Sequence, residues 1–145
     1  FQTIFGGSTS SKLFLNVRER KSLCYYASAQ FISPKGMMMV NSGIENKDFE
    51  TARDEILRQL DACRAGDITD AEIDAARKTL TTNWRAMLDD PLTLERYWLG
   101  QAAAGTLVTP EERIAQVANV TRGDIVAAAQ ATALDTVYFM KGAAQ

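Results

Sequence analysis

The residues with chemical potential sit mostly near the start of the chain. Arg18-Glu19-Arg20-Lys21 is a basic run, and taken alone such a run is a solvated helix end whose cations complement the helix dipole. Tyr25 and Tyr26 follow it; in a strand successive side chains alternate, which predicts one ring in the core and the other outside. Gly6-Gly7, followed by Ser8, Thr9, Ser10 and Ser11, offers backbone amides that could cradle a phosphate at a helix N-terminus. The stretch lacks the lysine of a P-loop and the glycine spacing of a dinucleotide site, so a flexible helix cap is the plainer account. Asp89-Asp90 could be a pair of acid-base carboxylates, but immediately before Pro91 they fit a helix break and a cap. Met37, Met38 and Met39 are either core filler or part of a peptide-binding surface.

The sequence contains no histidine. That removes the commonest zinc ligand and the commonest general base together. A zinc hydrolase site of the usual form cannot be assembled from this chain, and serine or cysteine nucleophiles paired with histidine are excluded for the same reason.

Composition sets the frame for these groups. The chain has 145 residues, 46% of them apolar and 23% charged, with a net charge of -2. Those values fit one soluble globular domain and argue against a nucleic-acid surface. No apolar run approaches the roughly 20 residues that span a bilayer, and no basic start with an apolar stretch marks a signal peptide. Phe1 to Phe5 has the look of an apolar segment already in progress, which leads us to expect upstream strands, and targeting information with them, outside the sequence. Cys24 and Cys63 have no metal-ligand spacing and are expected as buried thiols in a reducing compartment rather than as a disulfide.

The elements that must position these residues follow from periodicity. Leu13, Phe14 and Val17 repeat at helical spacing behind the hydroxyl caps, predicting a helix from about Ser11 to Arg20. Leu23 to Ile32 and Met37 to Ile44 are strands joined at Ser33-Pro34-Lys35-Gly36 into an antiparallel hairpin. Phe49, Ala52, Ile56, Leu60 and Cys63 mark an amphipathic helix over Lys47 to Arg64, stopped by Gly66. Threonine caps with an acidic residue three positions on begin helices at Thr69, Thr109 and Thr121. The first of these passes through Ile73, Ala76, Leu80, Trp84 and Met87, breaks at Asp89-Asp90-Pro91, and resumes through Leu94, Tyr97 and Trp98. Thr136 to Met140 is predicted as a third strand. The sum is an α+β layer, an antiparallel sheet covered by helices on one face.

The stretch from Phe5 to Tyr25 resembles a signature of the pitrilysin family, which includes insulysin and the mitochondrial processing peptidases. Its parts are the Gly6-Gly7 turn, Ser8, Leu13-Phe14, the Arg18-Glu19 pair, and Leu23 and Tyr25 entering a strand. The similarity continues through Gly36, the helix after Asn46, the helix start at Gly66 to Ile73, and the one at Val120 to Ile125, and so covers essentially the whole chain.

The resemblance implies a metallopeptidase-like domain without its first strands, the C-terminal partner of a zinc-bearing N-terminal domain with an inverted H-x-x-E-H motif. The two domains of that family close over a peptide. In active members the C-terminal domain supplies an arginine and, seven residues later, a tyrosine that hold substrate and stabilise the oxyanion; Arg18 and Tyr25 stand at that spacing. No metal ligand is expected in this chain, with zinc expected in the missing N-terminal domain or a partner subunit. The implied partners are a peptide substrate and that zinc-bearing domain or subunit, with no nucleic acid, no membrane, and self-pairing into a dimer through an exposed sheet edge left open. The expected location is cytoplasmic, with a targeting segment outside the sequence left open. Two explanations of the missing zinc motif stand: a piece of a longer zinc-dependent endopeptidase, inactive alone, or a noncatalytic partner or scaffold subunit of a peptidase-like pair.

Overall fold

In the computed structural model, which describes residues 1–141, small residues decide how closely the first elements pack. The short helix α1, Gln2–Gly6, is followed by a π-helix, Phe14–Arg20, and both lie against strand β1, Cys24–Ile32. A Cβ added at Gly6 would fall 2.7 Å from the Cβ of Ala29 and 2.9 Å from a Leu13 methyl. Gly6 therefore serves close approach rather than flexibility. The Gln2 side-chain amide donates to the Ala29 carbonyl, tying α1 to the strand backbone.

Strand β1 pairs antiparallel with β2, Met37–Ile44, in a two-stranded sheet among the described residues. The turn between them is a 3₁₀ segment, Ser33–Lys35, closed by Gly36 at φ 58°, where a residue without Cβ carries no steric cost. Ala27 and Ala29 are buried beneath α1 and the π-helix, whereas Tyr26, Ser28 and Gln30 on the opposite face are exposed. One face of the sheet is thus covered by helices and the chain is α+β.

The first of two compact units comprises Phe1–Ile68 together with the chain from Arg122 onward. Helix α2, Phe49–Arg64, packs on the π-helix, and helix α6, Arg122–Gln130, packs on α2. Its core includes Phe5, Leu13, Val17, Ala52, Leu60, Cys63, Ile125 and Ala129. The Arg64 guanidinium donates to the carbonyls of Ala129 and Thr132, and the Gln130 amide returns a bond to the Arg64 carbonyl at 3.1 Å.

The segment before the glycine turn is helical, closed by bonds from the Ile4 and Phe5 amides to the Phe1 carbonyl. One expectation is corrected here. Thr136 to Met140 forms no strand; it pairs with neither edge of the hairpin, and what holds it is the Phe139 ring stacked on Phe49 with centroids 4.1 Å apart. Cys63 is a buried thiol and Cys24 a half-buried one, neither in a disulfide.

The second unit, Thr69–Thr121, holds α3, Asp70–Leu88, α4, Pro91–Ala103, and α5, Pro110–Asn119. Both of its threonine starts are closed capping boxes. The Thr69 and Thr109 hydroxyls each accept from the amide of the glutamate three residues on at 3.2 Å, while the Glu72 and Glu112 carboxylates accept the cap amides at 2.7 Å. Asp90 caps α4, accepting from the Leu92 amide, and Pro91 occupies its first position. Trp84 meets Tyr97 edge-to-face at 5.4 Å, and the Tyr97 hydroxyl donates to the Val108 carbonyl.

Replacing Gly6 with alanine forces a methyl into the Ala29 backbone and should cost about 1–3 kcal/mol. Denaturant unfolding of the parent protein checks this, and a midpoint unchanged by the substitution would show that the close approach carries no constraint.

Candidate functional site

The site begins with the helix that ends in the basic run. Leu13 and Val17 are fully buried and fix one side of it against the core. From Phe14 to Arg20 the winding is π rather than α, a widened turn that occurs mostly in short pieces and often beside functional groups. It ends at Ser22, whose φ of 51° is the one positive value outside glycine among the described residues. The Ser22 amide bonds the Arg18 carbonyl and the Leu23 amide bonds the Val17 carbonyl. This is the closing pattern of a helix C-terminus with each bond one residue longer, and it delivers the chain directly into β1.

The basic residues have separate fates. Lys21 reaches Glu55 on α2 with Nζ 2.6 Å from the carboxylate. Arg20 donates to Asn16 Oδ1 at 2.9 Å, and Asn16 Nδ2 donates to Gln59 Oε1 at 2.8 Å. The Arg18 side chain makes no hydrogen bond among the described residues. Its guanidinium carbon lies 4.6 Å from the centroid of the Phe14 ring, a cation–π contact that orients the fork without using its donors, and its Nε is 3.7 Å from Glu19. With 38% of its side chain exposed, Arg18 is the cation of the run whose donors are open to a ligand.

Glu55 ties these pieces together. It is 3% exposed and accepts from Arg58 Nε at 3.0 Å and from Gln59 Nε2 at 2.6 Å, besides Lys21. Burial by itself raises a carboxyl pKa; here hydrogen bonds from Arg58, Lys21 and Gln59, with the Arg58 charge, outweigh burial and hold it at about 2.

Tyr25 is placed by an irregularity. Cys24 pairs with Ile44 and Tyr26 with Gly43, so Tyr25 is the extra residue of a β-bulge. A bulge breaks the alternation of the strand and re-aims a side chain. Tyr25 is 85% exposed and Tyr26 49% exposed, so the expectation that one ring enters the core is corrected. The Tyr26 ring lies across Gly43, where an added Cβ would come within 2.5 Å of it. The Tyr25 hydroxyl has no partner among the described residues.

The other sequence candidates resolve into structural roles. Gly7 sits against the Gln2 side chain, and Asp90 is a helix cap whose carboxyl is held low, chiefly by the hydrogen bond from Thr93. Met37 and Met39 are exposed on the uncovered face of the hairpin rather than packed in the core. Among the described residues there is no group of His, Cys, Asp and Glu that could hold a metal ion, and no helix is long and apolar enough to cross a membrane. Asn16, Glu55 and Gln59 were not singled out from sequence, and Phe14 was read only as a helix-face and signature residue. The signal for two of them was present, since Glu55 and Gln59 fall on the helical stripe of Ala52 and Cys63.

Comparison with known proteins covers this region. Residues 1–80 match the family described as the Peptidase M16 inactive domain. The chain is 40% identical over 142 residues to "Probable inactive metalloprotease YmfF" of Bacillus subtilis (strain 168), covering 98% of this chain and 33% of that protein. It is 27% identical over 128 residues to "Uncharacterized zinc protease" of Rickettsia bellii (strain RML369-C), covering 85% and 30%. A crystal structure of a conserved protein from Enterococcus faecalis V583 superposes with a TM-score of 0.81 at 35% identity, covering 89% of this chain and 31% of that one. The chain therefore spans about a third of the length of these relatives.

The depressed carboxyl of Glu55 makes the first unit acid-sensitive. Its contribution to stability is fully present above the ordinary carboxyl value of 4.5 and is lost as pH falls toward about 2, a difference on the order of 3 kcal/mol. Unfolding free energy of the parent protein, measured from pH 6 downward, should decline in that window, and the decline should be shallower in Glu55→Gln. Identical slopes in the two proteins would remove Glu55 as the cause.

Proposed function

The chain belongs to the Peptidase M16 inactive-domain family, and from that premise we propose that it is the substrate-holding, non-zinc part of a pitrilysin/insulysin-type peptidase. In this reading the Arg18 guanidinium donates to a carbonyl of an extended peptide. The Tyr25 hydroxyl donates to the oxygen on which charge develops during attack, an interaction that strengthens in the transition state. Zinc, held by an N-terminal domain or a partner subunit, supplies the Lewis acid. This chain binds and orients the peptide.

The observation that supports the reading best is the contrast within the basic run. Lys21 and Arg20 are committed to Glu55 and Asn16, while Arg18 keeps its donors open, and a bulge turns Tyr25 outward seven residues later. The spacing is the one implied by the family resemblance.

A second reading has its own support. The Bacillus subtilis relative, at 40% identity, carries the word inactive in its name. In this version the parent protein has no working zinc site and serves as the noncatalytic partner or scaffold of a peptidase-like pair, with Arg18 and Tyr25 binding peptide without turnover or standing idle.

The test uses the full-length parent protein, assayed for zinc content, for cleavage of a quenched fluorescent peptide, and for binding of the same peptide by anisotropy. The 145-residue chain alone should hold no stoichiometric zinc and cut nothing. Where the parent cleaves, Arg18→Ala and Tyr25→Phe should each lower turnover by about 10²-fold. Where it binds without cleaving, Arg18→Ala should weaken peptide binding about 10-fold, the loss of a charge-assisted bond. Unaltered cleavage and binding in both variants would overturn the peptide-holding reading and leave the scaffold one.

A further inference from the structure

We propose that Glu55 is a positioning residue, acting through Lys21 on one side and Gln59-Asn16 on the other to set the direction in which Arg18 is presented; this rests on the reading of Arg18 as a peptide contact. The two arms of the relay reach the π-helix on either side of Arg18. Before it, Asn16 is held by Gln59 at 2.8 Å, and Gln59 is held by Glu55 at 2.6 Å. After it, Lys21 is held by Glu55 at 2.6 Å. Arg18 lies between two anchors that share one buried carboxylate.

The chemistry of the arrangement calls for a reason beyond stability. A buried charge with all its partners seldom stabilises more than apolar residues of the same volume would. Leu13 and Val17, both fully buried, already hold the helix down. Apolar contact fixes how deep a helix sits but is tolerant of rotation about its axis, because dispersion has little direction. Hydrogen bonds have direction. A relay that grips both flanks of a widened turn fixes its azimuth and its register, and with them the vector of the side chain in the middle. The Phe14 ring beneath Arg18 is on the same turn and rotates with it, so it cannot replace the relay as an external reference.

The experiment is a double-mutant cycle in the full-length parent, read by anisotropy with the fluorescein-labelled form of the peptide used for cleavage. Thermal melts establish which variants are folded at the assay temperature. Glu55→Gln, folded, should weaken peptide binding about 10-fold, and adding it to Arg18→Ala should change binding by less than about 2-fold further, because a positioning residue has nothing to position once the arginine is gone. If Glu55→Gln does not fold, Asn16→Leu interrupts one arm, leaves the ion pair with Lys21 in place, and carries the same expectation. Binding unchanged in the folded variant, or losses that add fully to that of Arg18→Ala, would overturn the positioning role while leaving Arg18 as a contact. Binding unaffected by Arg18→Ala itself would overturn the underlying site, and this inference with it.

Discussion

Once the Glu55 carboxylate is taken out of water, protein donors have to replace the solvent it has lost. An ion of this kind left bare would cost several kcal/mol, and the surroundings of Glu55 are arranged so that it is not bare. Arg58 and Gln59 approach along α2 itself, where residues three and four apart are neighbours. The remaining donor comes from a different element, the end of the π-helix. Lys21 must lie over α2, so the helix has to finish there, and the chain has to turn sharply at Ser22 to enter the sheet. The start of β1 is thereby fixed relative to α2 by an electrostatic requirement as much as by packing.

The polar groups of the first unit divide into those that hold the frame and one that faces out. Along four consecutive residues, Lys21 and Arg20 are spent on internal acceptors, Glu19 is exposed, and Arg18 is left stacked on a ring. Chemically similar residues in one run perform different tasks because the positions they occupy on the turn differ. The bulge at Tyr25 extends the division into the strand. Ala27 and Ala29 keep the alternation required to bury one face, and the irregular residue lies at the end of the strand nearest the helix, where departing from the ladder costs least packing.

Much of the fold was legible. The Ser33-Pro34-Lys35-Gly36 turn between two strand-like runs gave the hairpin, helical spacing gave α2, and the Thr69 and Thr109 capping patterns gave α3 and α5, because those devices act locally. Thr136 to Met140 was misread as a strand because β-propensity describes what a segment could pair with, not whether an edge is offered to it. The π winding leaves no mark in residue type, since it is a choice among backbone acceptors. Tyr25 was placed wrongly with respect to Tyr26 for a related reason: a bulge changes the count of residues, not their kind. Glu55 and Gln59 are a different case. They stand at core-facing positions of α2, three and seven residues after Ala52, and a polar pair on an apolar stripe is a readable sign of a buried network. It went unread because the larger apolar residues nearby drew the stripe elsewhere.

A π-turn is geometrically an α-helix that has absorbed one residue too many. Between Phe14 and Arg20 the chain therefore carries slack in its length. A single deletion there would let the winding revert to α with the buried Leu13 anchor before it and the strand after it left in place, so only the residues inside the turn would be reassigned around the axis. Homologous chains differing by one residue in this stretch would then share a core and a sheet yet present a different side chain to the opening, so alignment gaps at this point carry functional weight that gaps in an exposed loop do not.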